Sequence, residues 1–413
     1  MFYFFFYYPL GLDVRPTRPV WLTWSLAGTA LLLFAVTLLD PAWFLAHQES
    51  LIYVPAHPTL AALLSSAFMH GDWLHLSSNL LALGVFGPAL EARLGAWRFA
   101  AVFAVCHVAG NLVQGAMALL WFPDTAGWGV LGASGALSGL LGVFLVRLHW
   151  ARLRVGYWAF LPLQAYTQAG TRTLPVLAAV GLWFLLQLGL AAAQLQGAAA
   201  SVAVGSHLGG LMAGIGMGWL LGLRGEGAAE QHLQQGRRHF GSAAWYPAQG
   251  EFLAYVRRCP EDPEGHLELA RSFRLTARHG EAETHFRRAC AGFALQKRLD
   301  RLEEAHREAA RGNPDFVLAA PLQLQLGRVL ERGCKDEAAA RVYGHYLRAY
   351  PGEPAVPFAL FRLARLTQAR SGLAQARPHY VELLLQHPAA PEAEMARWAL
   401  AAQRPTRSRG TRT

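Results

Sequence analysis

Six long apolar segments follow one another in the first half of the chain. They lie at residues 20–39, 74–90, 97–122, 134–150, 174–195 and 202–223, with prolines, glycines and charged residues between them. A helix needs about 20 mostly apolar residues to cross the hydrocarbon core of a bilayer. The pattern therefore predicts a bundle of six transmembrane helices.

The second half is rich in Arg, Glu, His and Ala, and it contains a repeat. Pro314, Pro351 and Pro388 lie 37 residues apart, and a glycine followed by an alanine-rich segment recurs within the units. A period of this length with two helices per unit is typical of an α-solenoid, and it resembles the tetratricopeptide repeat (TPR). The interval from Pro260 to Pro314 is too long for one unit, so we expect an extra helix at about residues 295–310.

These patterns predict an all-α protein in five parts. The parts are an interfacial N-terminal tail (1–19), a six-helix membrane domain (20–224), a linker (225–250), a soluble TPR-like repeat domain (251–402) and a basic tail (403–413) that we expect to be disordered. The N-terminal tail is apolar and aromatic but too short to span a bilayer. This favours a surface anchor over a cleaved signal peptide.

The positions of the positive charges orient the predicted bundle. The chain has 37 Lys and Arg against 27 Asp and Glu, a net charge of +10. The connections 40–73, 123–133 and 196–201 contain neither Lys nor Arg, whereas the other connections contain arginines. Because positively charged connections stay on the cytoplasmic side, both termini are predicted there, and a bacterial inner (plasma) membrane is the expected location. We interpret the excess charge as contact with anionic lipid, since no nucleic-acid-binding motif accompanies it.

Four polar residues fall near the outer ends of three predicted helices. Ser134 begins the fourth segment, His207 lies early in the sixth, and His75 and Asn79 share one face of the second. The predicted topology brings all four to one depth below the outer surface, where polar groups are costly and tend to mark function. A serine, a histidine base and two further hydrogen-bond donors together indicate a serine hydrolase.

Each of these residues also has a purely structural interpretation. Ser134 fits a stripe of small helix-packing residues, and His207 fits a packing histidine bonded to a backbone carbonyl. His107 and Asn111 repeat the spacing of the second-segment pair inside the third segment. We prefer the second-segment pair for the site because His107 falls in the middle of the predicted membrane.

A row of glycines after His207 indicates how two distant segments meet. Gly210, Gly214 and Gly218 are spaced by four and let the sixth helix approach a neighbour closely. We expect this approach to bring the His207 imidazole towards the Ser134 hydroxyl. The natural neighbour is the fourth segment, with its own small residues Gly132, Gly135 and Gly139.

A dyad is predicted rather than a triad, because no acidic residue lies in the sixth segment or beside His207. Metal binding is the rival use of His70, His75 and His207. No His-Glu-x-x-His motif and no well-placed carboxylate accompany them, so no metal is expected. The four cysteines are scattered without a Cys-x-x-Cys pair, which also disfavours a zinc site.

The ordered set of motifs resembles the rhomboid family of intramembrane serine proteases. Residues 68–79 read Phe-Met-His-Gly-Asp-Trp-Leu-His-Leu-Ser-Ser-Asn, and residues 91–95 read Glu-Ala-Arg-Leu-Gly. Residues 132–135 read Gly-Ala-Ser-Gly, and residues 207–210 read His-Leu-Gly-Gly. The resemblance covers residues 20–223, and the order, the spacing and the six-span topology all agree.

The resemblance implies a role for each candidate residue. Ser134 would be the nucleophile and His207 the general base. The oxyanion hole would be formed by His75, Asn79 and the backbone N–H of Ser134. Substrates would be single-pass or other membrane proteins, cut in or near a transmembrane segment at a small residue, and no cofactor would be needed.

The resemblance also implies structural roles and shows two departures. Glu91 and Arg93 would form an ion pair, while the glycines and His70 would serve packing. Many bacterial members have a Trp-Arg pair in the first outer loop and a tyrosine four residues after the serine. This chain has instead Ala61-Ala62 and Ser138. Neither change removes a reacting group, so we expect activity, with another aromatic residue supporting the histidine ring.

Three other interpretations stay open. An inactive rhomboid-like protein that binds transmembrane clients is disfavoured by the complete set of reacting residues. A transporter would need charged or broken helices near the midplane, and the segments contain none. A membrane scaffold would act chiefly through its repeats, which we expect to bind an unknown protein partner. That partner would lie across the membrane from Ser134, a position suited to recruitment or regulation.

Overall fold

Helices make up most of the protein. The structure is a computed structural model that describes residues 4–161, 166–196 and 203–401, and these residues contain eighteen α-helices and three strands. The chain divides into two compact units, Met1–Gln231 and His232–Thr413. The predicted disordered tail at residues 403–413 lies outside the described residues.

The first unit contains a helix at each of the six predicted apolar segments. The helices up to the boundary are α1 (Leu22–Leu39), α2 (Pro41–Leu51), α3 (Leu60–Ser65), α4 (Trp73–Leu94), α5 (Ala96–Trp121), α6 (Ser134–Arg147), α7 (Val176–Leu195), α8 (Val204–Leu220) and α9 (Leu223–Gly241), which contains the boundary itself.

Fewer than six of these helices have the length and composition of a complete span. Among the described residues, α1, α4, α5 and α7 qualify, and a fifth span results if α8 and α9, bent by 78° at their junction, are counted together. Helix α6 is apolar but has only 14 residues, a length of about 21 Å. It contacts α4, α5 and α8, and most of its residues are buried, so protein rather than lipid surrounds it.

The all-α prediction is wrong for three segments. Strands β1 (Phe4–Leu12), β2 (Arg152–Leu161) and β3 (Tyr166–Pro175) form one antiparallel sheet in the order β1-β2-β3. In β2, Arg152 and Arg154 are exposed while Leu153 and Val155 are buried. This alternation with a period of two is the mark of a strand with one covered face. The predicted interfacial tail therefore contains a strand that pairs with β2.

The closest packing in the first unit joins α8 to α5 and α6. A Cβ atom added at Gly210 would collide with the carbonyl oxygen of Gly135, and one added at Gly214 would collide with that of Gly139. Backbone therefore lies against backbone along the α6–α8 contact, which only glycine allows. This contact sets Ser134, at the start of α6, beside the first turns of α8.

The implied Glu91–Arg93 ion pair is replaced by two separate interactions. The buried Glu91 carboxylate accepts hydrogen bonds from Leu22 N (2.9 Å), Thr23 N (2.7 Å) and Thr23 Oγ1 (2.6 Å). It thereby caps the N-terminus of α1, where backbone N–H groups lack helical partners and favour negative charge. Residues two apart on a helix do not face each other, so Glu91 and Arg93 point to different neighbours.

Arg93 instead shares a carboxylate with Arg147. Its Nε donates to Glu230 Oε2 at 3.0 Å, and an Arg147 guanidinium nitrogen lies 2.8 Å from the same oxygen. Burial would raise the pKa of Glu230, but the hydrogen bonds and charges of the two arginines outweigh it and hold that pKa below its usual value. One carboxylate on α9 thus ties together the C-terminal ends of α4 and α6.

The second unit is a series of helices in which each contacts the next. The predicted linker at residues 225–250 is mostly helical, since α9 extends to Gly241 and α10 begins at Trp245. The extra helix predicted at residues 295–310 is confirmed as α13. Helices α15 and α17 begin 37 residues apart, at Asp336 and Leu373, as the repeat requires. The helices are α10 (Trp245–Arg258), α11 (Pro263–Leu275), α12 (His279–Leu295), α13 (Leu299–Gly312), α14 (Ala320–Arg332), α15 (Asp336–Ala349), α16 (Val356–Ser371), α17 (Leu373–Gln386) and α18 (Pro391–Ala401).

Candidate active site

A cavity of about 630 Å³ lies where α4, α6 and α8 begin. Its lining includes all four candidate residues, Ser134, His207, His75 and Asn79, although they come from three helices. The lining also includes Trp183 of α7, together with apolar side chains of α4 and α6. The cavity therefore gathers a hydroxyl, two imidazoles and an amide around one volume.

The turn before Ser134 has a conformation that only glycine tolerates. Gly132 has a φ of +108°, and its N–H donates to the carbonyl oxygen of Ser66 at 2.8 Å. A Cβ atom added there would lie 2.5 Å from His75 Nε2 and 3.4 Å from Asn79 Nδ2. The backbone leading to Ser134 therefore lies directly against the ring of His75 and the amide of Asn79.

His75 and Asn79 lie on the face of α4 that lines the cavity. Asp72 caps this helix by accepting a hydrogen bond from His75 N at 2.8 Å. The Asn79 amide donates one N–H to His70 Nε2 at 3.0 Å. Because an amide nitrogen carries two hydrogens, the second N–H is left for a group in the cavity.

His70 orients this amide from the loop before α4. Burial and the neighbouring His75 lower the pKa of His70 to about 4, outweighing the opposing effect of its hydrogen bond to Phe68 O (3.2 Å). The neutral ring donates through Nδ1 to Phe68 and accepts through Nε2 from Asn79. The residue expected to serve packing thus supports a candidate oxyanion donor.

His207 is contacted by two residues of α7 that the sequence analysis did not select. Its Nδ1 lies 2.9 Å from Gln187 Oε1, and its ring centroid lies 6.0 Å from that of Trp183. This chain has Ser138 at the position where many rhomboid proteases have a tyrosine, so another aromatic contact to the histidine ring was expected. Trp183 supplies that contact. Trp183 and Gln187 are four positions apart, so they lie on one face of α7, and this spacing was the available sequence signal.

The side chains that line this cavity are of the types that acyl transfer uses. A hydroxyl at a helix N-terminus can attack a carbonyl group if an adjacent base accepts its proton. The donors of His75 and Asn79 can stabilise the negative oxygen that forms. Among the residues that the structure describes, no cluster of three or more His, Cys, Asp or Glu side chains has the arrangement of a metal site.

Much of the first unit is similar to a known protein family. Residues 57–224 match the family described as Rhomboid domain. These residues form a rhomboid domain. The match includes α4 to α8 and therefore every residue of the candidate site named above.

Two relatives show how far the similarity extends. Rhomboid protein 1, mitochondrial, of Saccharomyces cerevisiae is 29% identical over 236 residues, which cover 54% of this chain and 60% of the yeast protein. RHOMBOID-like protein 5 of Arabidopsis thaliana is 32% identical over 118 residues, which cover 24% of this chain and 36% of the plant protein. The chain thus spans less than two thirds of either relative.

Solved structures similar to the chain include TPR proteins. One is a thermophilic TPR protein from Thermus thermophilus, with 21% identity, a TM-score of 0.20, and coverage of 42% of this chain and 99% of that one. A further similar structure is that of the MamA protein, with 12% identity, a TM-score of 0.21, and coverage of 38% of this chain and 90% of that one. The repeat character of the second unit rests on its own helix pairs, α14 with α15 and α16 with α17.

A second polar cluster lies inside the rhomboid domain, away from the cavity lining. Ser66 Oγ lies 3.1 Å from both His107 Nε2 and Asn111 Nδ2, and Ser206 Oγ donates to Asn111 Oδ1 at 3.4 Å. All four side chains are buried. Since Ser66 also accepts the Gly132 N–H, this cluster braces the turn that leads to the cavity. His107 and Asn111 are thus a structural pair in this fold.

Replacing His107 by alanine should reduce stability without removing the cavity's chemistry. The change deletes the hydrogen bonds of one buried ring, which corresponds to about 1–3 kcal/mol of unfolding free energy. Asn111 still bonds Ser66, so the turn should keep its conformation. Thermal unfolding in detergent micelles should show a lower midpoint, whereas cleavage of a membrane substrate should persist below that midpoint. Loss of cleavage at unchanged stability would instead assign His107 to the reaction.

Proposed function

We propose that the chain is an intramembrane serine endopeptidase with a Ser134–His207 dyad. Its substrates would be membrane proteins cut in or near a transmembrane segment. The observation that supports the proposal is the shared cavity, whose lining includes these two residues together with His75 and Asn79. The rhomboid domain supports the same reaction class, and the apolar helices agree with an integral membrane protein.

The reaction would proceed through an acyl-enzyme. The Ser134 hydroxyl attacks the carbonyl carbon of the scissile peptide bond while His207 Nε2 takes the hydroxyl proton. The resulting oxyanion accepts hydrogen bonds from His75, Asn79 and the backbone N–H of Ser134. Each such donor can contribute about 3 kcal/mol to the transition state.

In the steps that follow, His207 gives up the proton that it took from Ser134. His207 gives its proton to the leaving amine nitrogen as the peptide C–N bond breaks, and the new N-terminus departs. A water molecule then attacks the acyl carbon, with His207 accepting one of its protons. The C-terminus of the first fragment leaves, and the proton returns to the Ser134 oxygen. The reaction consumes one water and needs no cofactor.

The topology proposed for the chain puts this site near the outer surface of a bacterial inner membrane. The arginine-free connections support an outward position for the starts of α4, α6 and α8. Both termini and the helical repeats would then lie in the cytoplasm. The repeats would bind a protein partner that recruits or regulates, since solenoids offer extended binding surfaces.

Reconstitution of the full chain with a substrate tests this function. Proteoliposomes should contain the chain and a single-span protein with a different tag at each end. The proposal expects two tagged fragments, whose formation stops after treatment with a fluorophosphonate, a reagent for activated serines. An intact substrate that copurifies with folded chain would instead support the client-binding scaffold.

A further inference from the structure

Gln187 is a buried amide in an otherwise apolar helix. Its side chain is 4% exposed, and every other residue of α7 except Gln194 is apolar. Burying an amide without a hydrogen-bond partner is costly in protein or lipid. The partner that the structure provides is His207, whose Nδ1 lies 2.9 Å from Gln187 Oε1.

This contact selects one protonation state of the His207 ring. An amide oxygen can only accept a hydrogen bond, so Nδ1 must carry the proton and donate it. A neutral imidazole with its proton on Nδ1 has its lone pair on Nε2. Nε2 is the atom that must accept the Ser134 proton in the proposed reaction. The other tautomer would present an N–H to the serine and could not act as a base.

Trp183 limits the rotation of the same ring. It lies one helical turn before Gln187, lines the cavity, and has its ring tilted by 41° to that of His207. The imidazole therefore has the Gln187 amide at its Nδ1 edge and the tilted indole of Trp183 beside it. Both contacts come from α7, whereas His207 itself lies on α8.

We propose that Gln187 is the positioning residue of the base. It would occupy the role that a buried aspartate has in Ser-His-Asp triads, in which the carboxylate holds the tautomer and orientation of the histidine. This also explains why α8 needs no acidic residue beside His207, since the orienting group arrives from α7. A neutral amide at this depth avoids the desolvation cost of a carboxylate.

The tautomer itself provides a test that does not need activity. The full chain, labelled with [15N]histidine in detergent micelles, should give a His207 signal that is identified by its loss in His207→Asn. We expect a protonated Nδ1 and an unprotonated Nε2 in the parent, and a shift towards protonated Nε2 in Gln187→Met. A parent ring with its proton on Nε2, or an unchanged Gln187→Met spectrum, would overturn the inference.

Kinetics test the consequence for catalysis, which rests on the proposed function. Gln187→Met removes the acceptor but keeps the side-chain length, and loss of one hydrogen bond should lower kcat about tenfold with KM unchanged. Gln187→Glu retains an accepting oxygen and should recover most of the rate. A purely packing role predicts the opposite order, because methionine suits an apolar site better than glutamate.

A control variant in α7 accompanies these tests, and failure of the positioning role can be distinguished from failure of the proposed function. Gln194→Met changes the other glutamine of α7, which lies two helical turns beyond the residue that bonds His207, and should cleave at the parent rate. Parent kcat in Gln187→Met would overturn the positioning role while leaving the proteolytic function intact. A parent that does not cleave, yet shows the Nδ1-protonated ring and its loss in Gln187→Met, would overturn the proposed function alone.

Discussion

Replacing Ser134 or His207 by alanine should abolish cleavage of a transmembrane substrate. The first change removes the attacking oxygen, and the second removes the group that accepts its proton. Losses of about 10⁴- to 10⁶-fold in kcat are typical for either member of such a pair. Because the two residues act in one step, the double variant should be no slower than either single one. Quantified fragments from proteoliposomes provide the measurement.

Ser138→Ala is the matched control for this prediction. Ser138 lies one turn after Ser134 and lines the same cavity, but its hydroxyl donates to the carbonyl oxygen of Ser134 at 2.7 Å. The Ser138 hydroxyl is therefore engaged in a hydrogen bond to the helix backbone. Its removal should leave cleavage near the parent rate. Substantial cleavage by folded Ser134→Ala would contradict the dyad and favour a scaffold function.

Replacing Gly214 by leucine should separate α8 from α6 and remove both stability and activity. Any side chain at Gly214 would collide with the Gly139 carbonyl, which belongs to a rigid helix backbone and cannot move aside. Overpacking a close-packed interior costs about 1–3 kcal/mol and occasionally more, and the larger cost is expected where backbone is the obstacle. The same displacement would move His207 away from Ser134. Thermal unfolding and fluorophosphonate labelling would measure the two effects.

Gly216→Leu provides the control on the same helix. A Cβ atom added at Gly216 meets nothing within 4 Å, so a leucine there has space. This variant should unfold near the parent midpoint and keep its labelling. If Gly214→Leu behaved like Gly216→Leu, the close α6–α8 contact would not be what holds the site together.

The helices of the fold could be predicted because long apolar runs carry their own signal. Each of the six apolar segments contains a helix, and the long interval after Pro260 contains α13, as expected. The sheet was missed because the apolar and aromatic character of the N-terminal tail suggested a membrane anchor. The short alternation from Arg152 to Val155 was the only local sign of β2, and its partner strands are distant in sequence.

The candidate site, like the fold, could be predicted only in part. Ser134, His207, His75 and Asn79 could be selected from motif order and predicted depth, and the structure describes them around one cavity. The partners that support them depend on side-chain direction, which spacing alone does not fix. The family resemblance suggested an ion pair between Glu91 and Arg93, which are two positions apart. In the structure Glu91 instead bonds to α1 and Arg93 to α9.

The spacing of Trp183 and Gln187 places both on one face of α7, but the role proposed for Gln187 could not have been predicted from the sequence. A single glutamine in an apolar helix fits a packing contact, a lipid-facing position or a hydrogen bond equally well. Only the arrangement of α7 against α8 gives its oxygen a specific partner, His207 Nδ1. Supporting residues of this kind are determined by tertiary contacts between separate helices.

Mapping the site of a fluorophosphonate adduct tests the proposed nucleophile most directly. Among the described residues, three serines line the cavity, Ser78, Ser134 and Ser138, so each is a candidate for the adduct. Only Ser134 combines a helix N-terminus with nearby His207 and the His75 and Asn79 donors. Peptide mass spectrometry of the labelled full chain should find the phosphonyl group on Ser134 and none on His207→Ala protein. An adduct on Ser78 or Ser138, or labelling that survives the loss of His207, would contradict the Ser134–His207 dyad.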